Sequence, residues 1–251
     1  METWIEVEGA TIWTKQTGTG TFPVLLVSGG PGAADYMDAV ADLLVDDCKV
    51  IQFDPRGCGR STEDGTTFTI EACLCDIEVI RKYYGFSQWT VVGHSWGADL
   101  GLAYALKYPD ALHGFLSLAG TGIQNDRDWK EAYVANRQKQ GERLPEFLYP
   151  LNKDVHRSLL TSWRDFIKHP DLLNNLAKLD VPTLFVVAGE DIRPSWPIQQ
   201  LAKLVPHANY TVVEGAGHYL WLSKPEVLKR LLVKFITTPR LKETTHENHK
   251  V

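Results

Sequence analysis

Six times along this 251-residue chain a nearly unbroken apolar run closes on glycine or on a turn-forming stretch. The runs are "PVLLVSGG" (Pro23 to Gly30), "KVIQFDPRG" (Lys49 to Gly57), "WTVVGHS" (Trp89 to Ser95), "GFLSLAG" (Gly114 to Gly120), "TLFVVAG" (Thr183 to Gly189) and "NYTVVEGAGH" (Asn209 to His218). A strand with one wet face alternates apolar and polar residues, and these do not. They read as strands buried on both faces, which in soluble proteins means a parallel sheet covered by helices. The intervening segments supply the helices. Thr69 to Tyr84 places Ile70, Cys73, Leu74, Ile77 and Ile80 at helical spacing. Ala98 to Lys107, Ser195 to Leu204 and Pro225 to Ile236 also suit helices, two of them with proline near the start. Strands alternating with helices predict an α/β fold, a mostly parallel, doubly wound sheet. A short hairpin, Trp4 to Glu8 and Thr11 to Gln16 turning at Gly9, precedes it.

From Ile123 to Asn175 the strand rhythm stops. This stretch is rich in Trp, Tyr, Arg, Lys and Glu and reads as helical. It is expected to be a small helical cap, residues 123–175, inserted in a core made of 1–122 and 176–240. The polar end, 241–251, is expected to fray.

Charge and cysteine usage narrow the function classes. The net charge is −5, so no general affinity for nucleic acid is expected. No apolar run approaches the roughly 20 residues needed to span a bilayer, so no membrane partner is expected. The opening "METWIEVEGA" is acidic and lacks the order of an export signal. Cys48, Cys58, Cys73 and Cys75 show no zinc-ligand spacing and are expected to be free, buried thiols in a reducing, cytoplasmic setting. The histidines suggest no metal site.

The stretch "WTVVGHSWGADL" (Trp89 to Leu100) carries the chemistry. A strand runs straight into Gly-His-Ser-Trp-Gly and turns helical at once. Such a turn holds Ser95 in a strained backbone with its hydroxyl raised above the sheet. Side chains at 93 and 97 would collide with neighbouring backbone, hence two glycines. The helix that follows directs its N-terminal dipole at the site. His94 is expected to be buried and structural. Gly-x-Ser-x-Gly between strand and helix matches the nucleophile elbow of the α/β-hydrolase fold.

That match asks for an acid after a later strand and a histidine after the last one. Asp191 follows the strand ending at Gly189, with Glu190 as the alternative acid, and His218 follows the loop Gly215-Ala216-Gly217. "SGGPG" (Ser28 to Gly32) offers an oxyanion hole, in which Gly30 donates one N–H and Trp96 the second. Gly29, Tyr219 and Trp221 are candidates for contact with substrate. The catalytic residues are expected to be Ser95, Asp191 and His218, with no metal and no organic cofactor.

Over essentially its whole length the chain resembles the α/β-hydrolase superfamily, and within it the proline iminopeptidase (prolyl aminopeptidase) group. The matching stretches are "GGPG" at Gly29 to Gly32, "DPRGCGRS" at Asp54 to Ser61, "GHSWG" at Gly93 to Gly97 and "GAGH" at Gly215 to His218. Arg56 and Arg60 are read as tying the loop beside the site. There are departures. Ser28 stands where the group usually has histidine. The cap is short, and Trp163 is followed by Arg164 where the group's substrate-binding pair is Trp-Glu. Glu131, Glu142, Glu146 and Asp165 are the remaining cap carboxylates considered as amine ligands. The resemblance therefore implies a serine hydrolase of small esters, amides or short peptides. The alternatives are a true prolyl aminopeptidase and, in another class, a non-catalytic receptor for a small ligand. The oligomeric state is not legible.

Overall fold

The computed structural model describes residues 1–63, 68–123 and 127–238. The expectation of a frayed end at 241–251 lies outside them.

One eight-stranded sheet forms the centre. Its strands are β1 (Glu2–Val7), β2 (Ala10–Thr17), β3 (Phe22–Val27), β4 (Cys48–Phe53), β5 (Trp89–His94), β6 (Leu112–Leu118), β7 (Thr183–Ala188) and β8 (Ala208–Val213). Their order is β1-β2-β4-β3-β5-β6-β7-β8. The β1–β2 hairpin joins β4 antiparallel, and every other pairing is parallel. This is the mostly parallel, doubly wound sheet expected from the apolar runs.

Five of the six apolar runs work because the sheet has a core on each face; the sixth, β8, is an edge strand that leaves Asn209 and Val212 exposed, which corrects the expectation of burial on both faces there. In β3, Leu25 and Val27 enter one core while Val24 and Leu26 enter the other. In β7, Phe185 and Val187 go one way and Leu184 and Val186 the other. Period-two alternation is thus present, but both sets are apolar because both faces are covered.

The first face carries α2 (Ile70–Tyr83), α3 (Trp96–Lys107) and α7 (Trp196–Leu204). The second carries α1 (Asp38–Asp42) and α8 (Pro225–Thr237). Thr69 caps α2 by accepting the Ala72 N–H at 3.2 Å. Proline opens α8 and sits in the first turn of α7, where a missing N–H costs nothing.

Between β6 and β7 the chain forms α4 (Arg127–Lys139), α5 (Lys153–Phe166) and α6 (Leu172–Leu176). Among the described residues this segment holds no strand. α5 buries Val155, Leu159 and Trp163, a stripe at i, i+4 and i+8, in the core it shares with α2. α4 is different: it has no buried residue at all.

All four cysteines are free, as expected. Cys48, Cys58 and Cys73 are buried, but Cys75 is exposed, which corrects the expectation for that residue. Cys73 faces the core on α2, and two residues on, a helix has turned by more than half a circle. No helix of the described residues is long and apolar enough to cross a membrane.

Candidate active site

Ser95 is the single residue between β5 and α3, and it has φ 55° and ψ −127°. That conformation costs an L-residue of the order of 1–3 kcal/mol and persists only where the surroundings enforce it. Here the Ser95 N–H donates to Leu118 O at 2.8 Å, and Ala98 N–H donates to Ser95 O at 2.9 Å. The flanking glycines are steric necessities. A Cβ at position 93 would lie 2.3 Å from Gly97 O, and one at position 97 would lie 2.2 Å from Val27 O.

The loop after β3 runs against the serine. A Cβ on Gly29 would sit 2.6 Å from the Ser95 Cβ. The Gly29 N–H is already engaged, donating to the Tyr36 hydroxyl at 2.7 Å. Gly30 follows at φ 67° and is exposed. Among the described residues neither the Gly30 nor the Trp96 amide has an acceptor within the protein. Two N–H groups beside Ser95 are therefore available, and the one on Gly29 is not.

Asp191 and His218 are brought together by the loops after β7 and β8. His218 Nδ1 lies 2.6 Å from Asp191 Oδ2, and the imidazole is 2% exposed. The two loops are pinned to each other, Glu190 N–H donating to Ala216 O at 2.8 Å. Glu190 itself is exposed, so the structure places the other candidate acid outside this pair. Burial pushes the Asp191 carboxyl up, but the His218 hydrogen bond and the charges of His218 and Arg193 outweigh it and hold it below the usual range.

His94 is fully buried, as expected, and does more than fill space. Its Nδ1 lies 2.7 Å from the Tyr36 hydroxyl and its Nε2 lies 3.0 Å from His218 O. The hydrogen-bond inventory fixes the tautomer. The His218 carbonyl can only accept, so the ring proton of His94 is on Nε2 and is donated to it. Nδ1 of the neutral ring is then the acceptor of the Tyr36 hydroxyl proton, while the Tyr36 oxygen accepts from Gly29. Burial and the neighbouring His218 hold the His94 pKa well below the ordinary value, which keeps the ring neutral. Gly29, Tyr36, His94 and His218 form a continuous strut beneath Ser95. Tyr36 carries no sequence signal, and reasoning from motifs missed it.

Trp221 belongs to the layer under this strut, 5% exposed and 4.8 Å from the His94 ring. Tyr219 is partly exposed and lines a cavity of about 200 Å³ beside His218, together with Glu142, Arg143, Glu190 and Ile192. Ser95 does not border that cavity.

The α4 segment is mounted on the loop that carries Asp191. Trp129 Nε1–H donates to Pro194 O at 3.0 Å, Asn136 to Ile192 O at 3.1 Å and Gln140 to Glu190 O at 2.8 Å. Just beyond α4, Glu142 accepts from Arg193 at 2.5 Å, and Arg193 also reaches Asp191 Oδ1 at 3.2 Å. Glu142, Asp191 and His218 each offer a ligand atom within 4.8 Å of the others. The Arg193 guanidinium bonds both carboxylates, so the positive charge at that point is supplied by the chain itself.

Arg56 and Arg60 tie loops, as read from the sequence. Arg56 makes a buried fork to Asp76 at 2.6 and 2.7 Å. Arg60 forks onto Asp54 at 2.7 and 3.0 Å and lies over the Trp13 ring. Ser28, in the place of the group's usual histidine, is buried. Of the cap carboxylates, Glu131 pairs with Arg127, Asp165 with Lys168 and Glu142 with Arg193, while Glu146 is exposed.

The sequence profile of the family described as alpha/beta hydrolase fold matches residues 23–180. A proline iminopeptidase of Neisseria gonorrhoeae is 30% identical over 166 residues, which are 63% of this chain and 52% of that protein. The chain thus spans about half the length of the curated relatives it matches in this way. A proline iminopeptidase of Saccharolobus solfataricus is 26% identical, with 82% of each chain covered. In three dimensions a thermophilic esterase from Thermogutta terrifontis superposes with a TM-score of 0.75 at 22% identity, covering 94% of this chain and all of the other. A proline iminopeptidase from Mycobacterium smegmatis gives 0.73 at 19% identity, covering 94% and 97%. At such identities these two structures speak to the fold.

Proposed function

Because the chain belongs to the alpha/beta hydrolase fold family, we propose that it is a serine hydrolase acting on small esters or amides through Ser95, His218 and Asp191. The reading rests on the elbow conformation of Ser95, at φ 55°, and on a buried His218 bonded at 2.6 Å to Asp191.

In this mechanism His218 accepts the proton of Ser95 as Oγ attacks a carbonyl carbon. The negative charge that develops on the carbonyl oxygen is met by the Gly30 and Trp96 amides and by the N-terminus of α3. Asp191 holds the Nδ1 proton, orients the ring and stabilises the imidazolium. His218 then protonates the leaving oxygen or nitrogen, leaving an acyl group on Ser95. Water, deprotonated by the same ring, releases it. Each proton returns to its starting atom, and the scheme calls for no metal or organic cofactor. The insert 123–175 acts as the cap, with Phe147 set 5.3 Å from Tyr36 and 6.5 Å from Tyr219 at the approach to the site. Tyr219 is the aromatic side chain placed to touch substrate, and Trp221 backs it.

A second reading, release of N-terminal proline, is favoured by the names of the curated relatives. Charge weighs against it. A substrate ammonium group needs an unpaired carboxylate; Glu131, Glu142 and Asp165 each have a cationic partner, which leaves Glu146, exposed to solvent, as the one cap carboxylate of the four for that role. Arg164 is exposed on α5 and adds repulsion. The reading as a non-catalytic receptor has nothing comparable in its favour, since the triad residues are all present.

Turnover of short-chain p-nitrophenyl esters and of proline p-nitroanilide, with Ser95→Ala as control, tests these readings. Ester turnover that vanishes in the control, with little turnover of the anilide, is expected. Fast anilide turnover would establish the aminopeptidase reading instead.

A further inference from the structure

The geometry points to Glu142 as a positioning residue for the triad: a carboxylate on the cap whose charge, relayed through Arg193, sets how readily His218 takes a proton. The inference rests on the reading of His218 as the base.

Arg193 stands two residues from Asp191 and is bound to it twice, by its backbone N–H at 2.9 Å and by its guanidinium at 3.2 Å. A guanidinium alone in that position would work against catalysis. It would draw on the carboxylate that supports the imidazolium and place an uncompensated positive charge beside it. Glu142 removes that problem. It binds the same guanidinium nitrogen at 2.5 Å, and its carboxylate lies within 4.8 Å of a His218 ring nitrogen. When His218 is protonated the charges alternate outward as His218, Asp191, Arg193, Glu142. Side-chain exposures of 2%, 8%, 18% and 20% along this row show that solvent screens the inner members little.

Other groups facing His218 do not substitute for Glu142. His94, from β5, is neutral, and Tyr36 and Tyr219 keep their hydroxyl protons, each pushed above the ordinary value by burial first. Glu190 is solvent-exposed at the rim of the cavity, where water screens its charge, and Arg143 donates to Leu222 O at 2.8 Å. Among the described residues the compensating charge therefore arrives with the cap. Trp129, Asn136 and Gln140 fix where it lands, each bonded to a carbonyl of the Asp191 loop. Cap seating and base strength are thereby coupled.

Two variants separate charge from mere attachment. Glu142→Gln keeps an oxygen that can accept from Arg193 but removes the charge. Glu142→Asp keeps the charge on a shorter arm. The His218 ring is followed by ¹H–¹⁵N NMR across pH in wild type and both variants, alongside pH profiles of kcat/KM on a p-nitrophenyl ester. Glu226→Gln, at an exposed position on α8, controls for net charge. Loss of a carboxylate at this range is expected to favour the neutral ring. In Glu142→Gln the titration midpoint moves to lower pH by roughly one unit. The acid limb of the profile moves with it, and kcat falls by roughly threefold or more with KM little changed. Glu142→Asp stays near wild type in both. A midpoint in Glu142→Gln that matches wild type overturns the inference, as does a KM rise with no movement of the limb, which would make Glu142 a substrate contact. The NMR titration needs no turnover. Absence of any Ser95-dependent activity would defeat the proposed function while the titration still decides the role of Glu142.

Discussion

The Tyr36 hydroxyl lies 2.7 Å from His94 Nδ1, and through that contact the loop after β3 and the loop bearing His218 are held at a fixed spacing. On one side Tyr36 accepts from Gly29, the residue before the proposed oxyanion donor. On the other, His94 donates to the His218 carbonyl. Tyr36→Phe removes the central oxygen and leaves the Gly29 amide and His94 Nδ1 without partners. Since misplacing catalytic groups by fractions of an ångström is costly, kcat should fall roughly tenfold with KM changed less than about twofold. Steady-state kinetics and a thermal melt on the same samples check this. An unchanged kcat would show that the strut is not needed for catalysis.

The elbow glycines lead to a stability prediction. A methyl group on Gly97 would have to displace the backbone oxygens of Val27 and Ser28, at 2.2 and 2.4 Å. Neither is a side chain that can swing aside. Gly97→Ala should therefore destabilise by about 3 kcal/mol, the upper part of the usual range for overpacking. Urea unfolding measures it, and a loss below about 1 kcal/mol would mean that β3 and α3 can separate freely.

The cap should be unevenly stable. α5 is anchored by Val155, Leu159 and Trp163 in the core, whereas α4 has no buried residue and is held by polar contacts. Local opening follows the density of apolar contacts. Hydrogen exchange at α4 amides should run at least about tenfold faster than at α5 amides. Trp163→Ala should cost about 3–5 kcal/mol. Equal protection of the two helices would contradict the assignment of α5 as the anchor.

Asp99 gives a pH dependence with a definite sign. Burial pushes its carboxyl up to about 7, against hydrogen bonds from Thr121 and Gly122 that pull it down. Between pH 4 and pH 7 the folded chain holds a proton there that the unfolded chain has released. Stability from this group is full below pH 4 and is lost as pH rises toward 7. Asp99→Asn is neutral throughout, so its Tm relative to wild type should rise by several degrees from pH 4 to pH 8. Asp35, also pushed to about 7 by burial, titrates in both proteins and cancels. Parallel Tm curves would show that the Asp99 carboxyl ionises normally.

The legible parts of this fold are those where one chemical requirement acts locally. A strand buried on both faces must be apolar throughout, so β3 to β7 are visible as runs. An elbow serine must be flanked by residues without side chains, so Gly93 and Gly97 announce Ser95. Chain order after two later strands leads to Asp191 and His218. What stayed hidden depends on contacts between distant segments. Tyr36 is an ordinary aromatic until the sheet sets it beside His94, 58 residues away. Arg193 stands two residues after Asp191 in the chain, but nothing local distinguishes its partner Glu142 from the other cap carboxylates. The polar seating of α4 on carbonyls of the Asp191 loop has no sequence signature, because backbone acceptors are present at every residue. Cys75 is expected in the interior with its neighbours, and only the phase of α2 turns it outward.

Every step of the proposed hydrolysis depends on Ser95 being a nucleophile activated by His218. Intact-mass measurement after treatment with a fluorophosphonate, which phosphonylates an activated serine, reads this without a known substrate. A single adduct on Ser95 is expected in the wild-type protein, none in Ser95→Ala, and a rate of labelling at least about a hundredfold lower in His218→Ala. Unmodified wild-type protein, or labelling that persists without Ser95, would contradict the proposed hydrolysis.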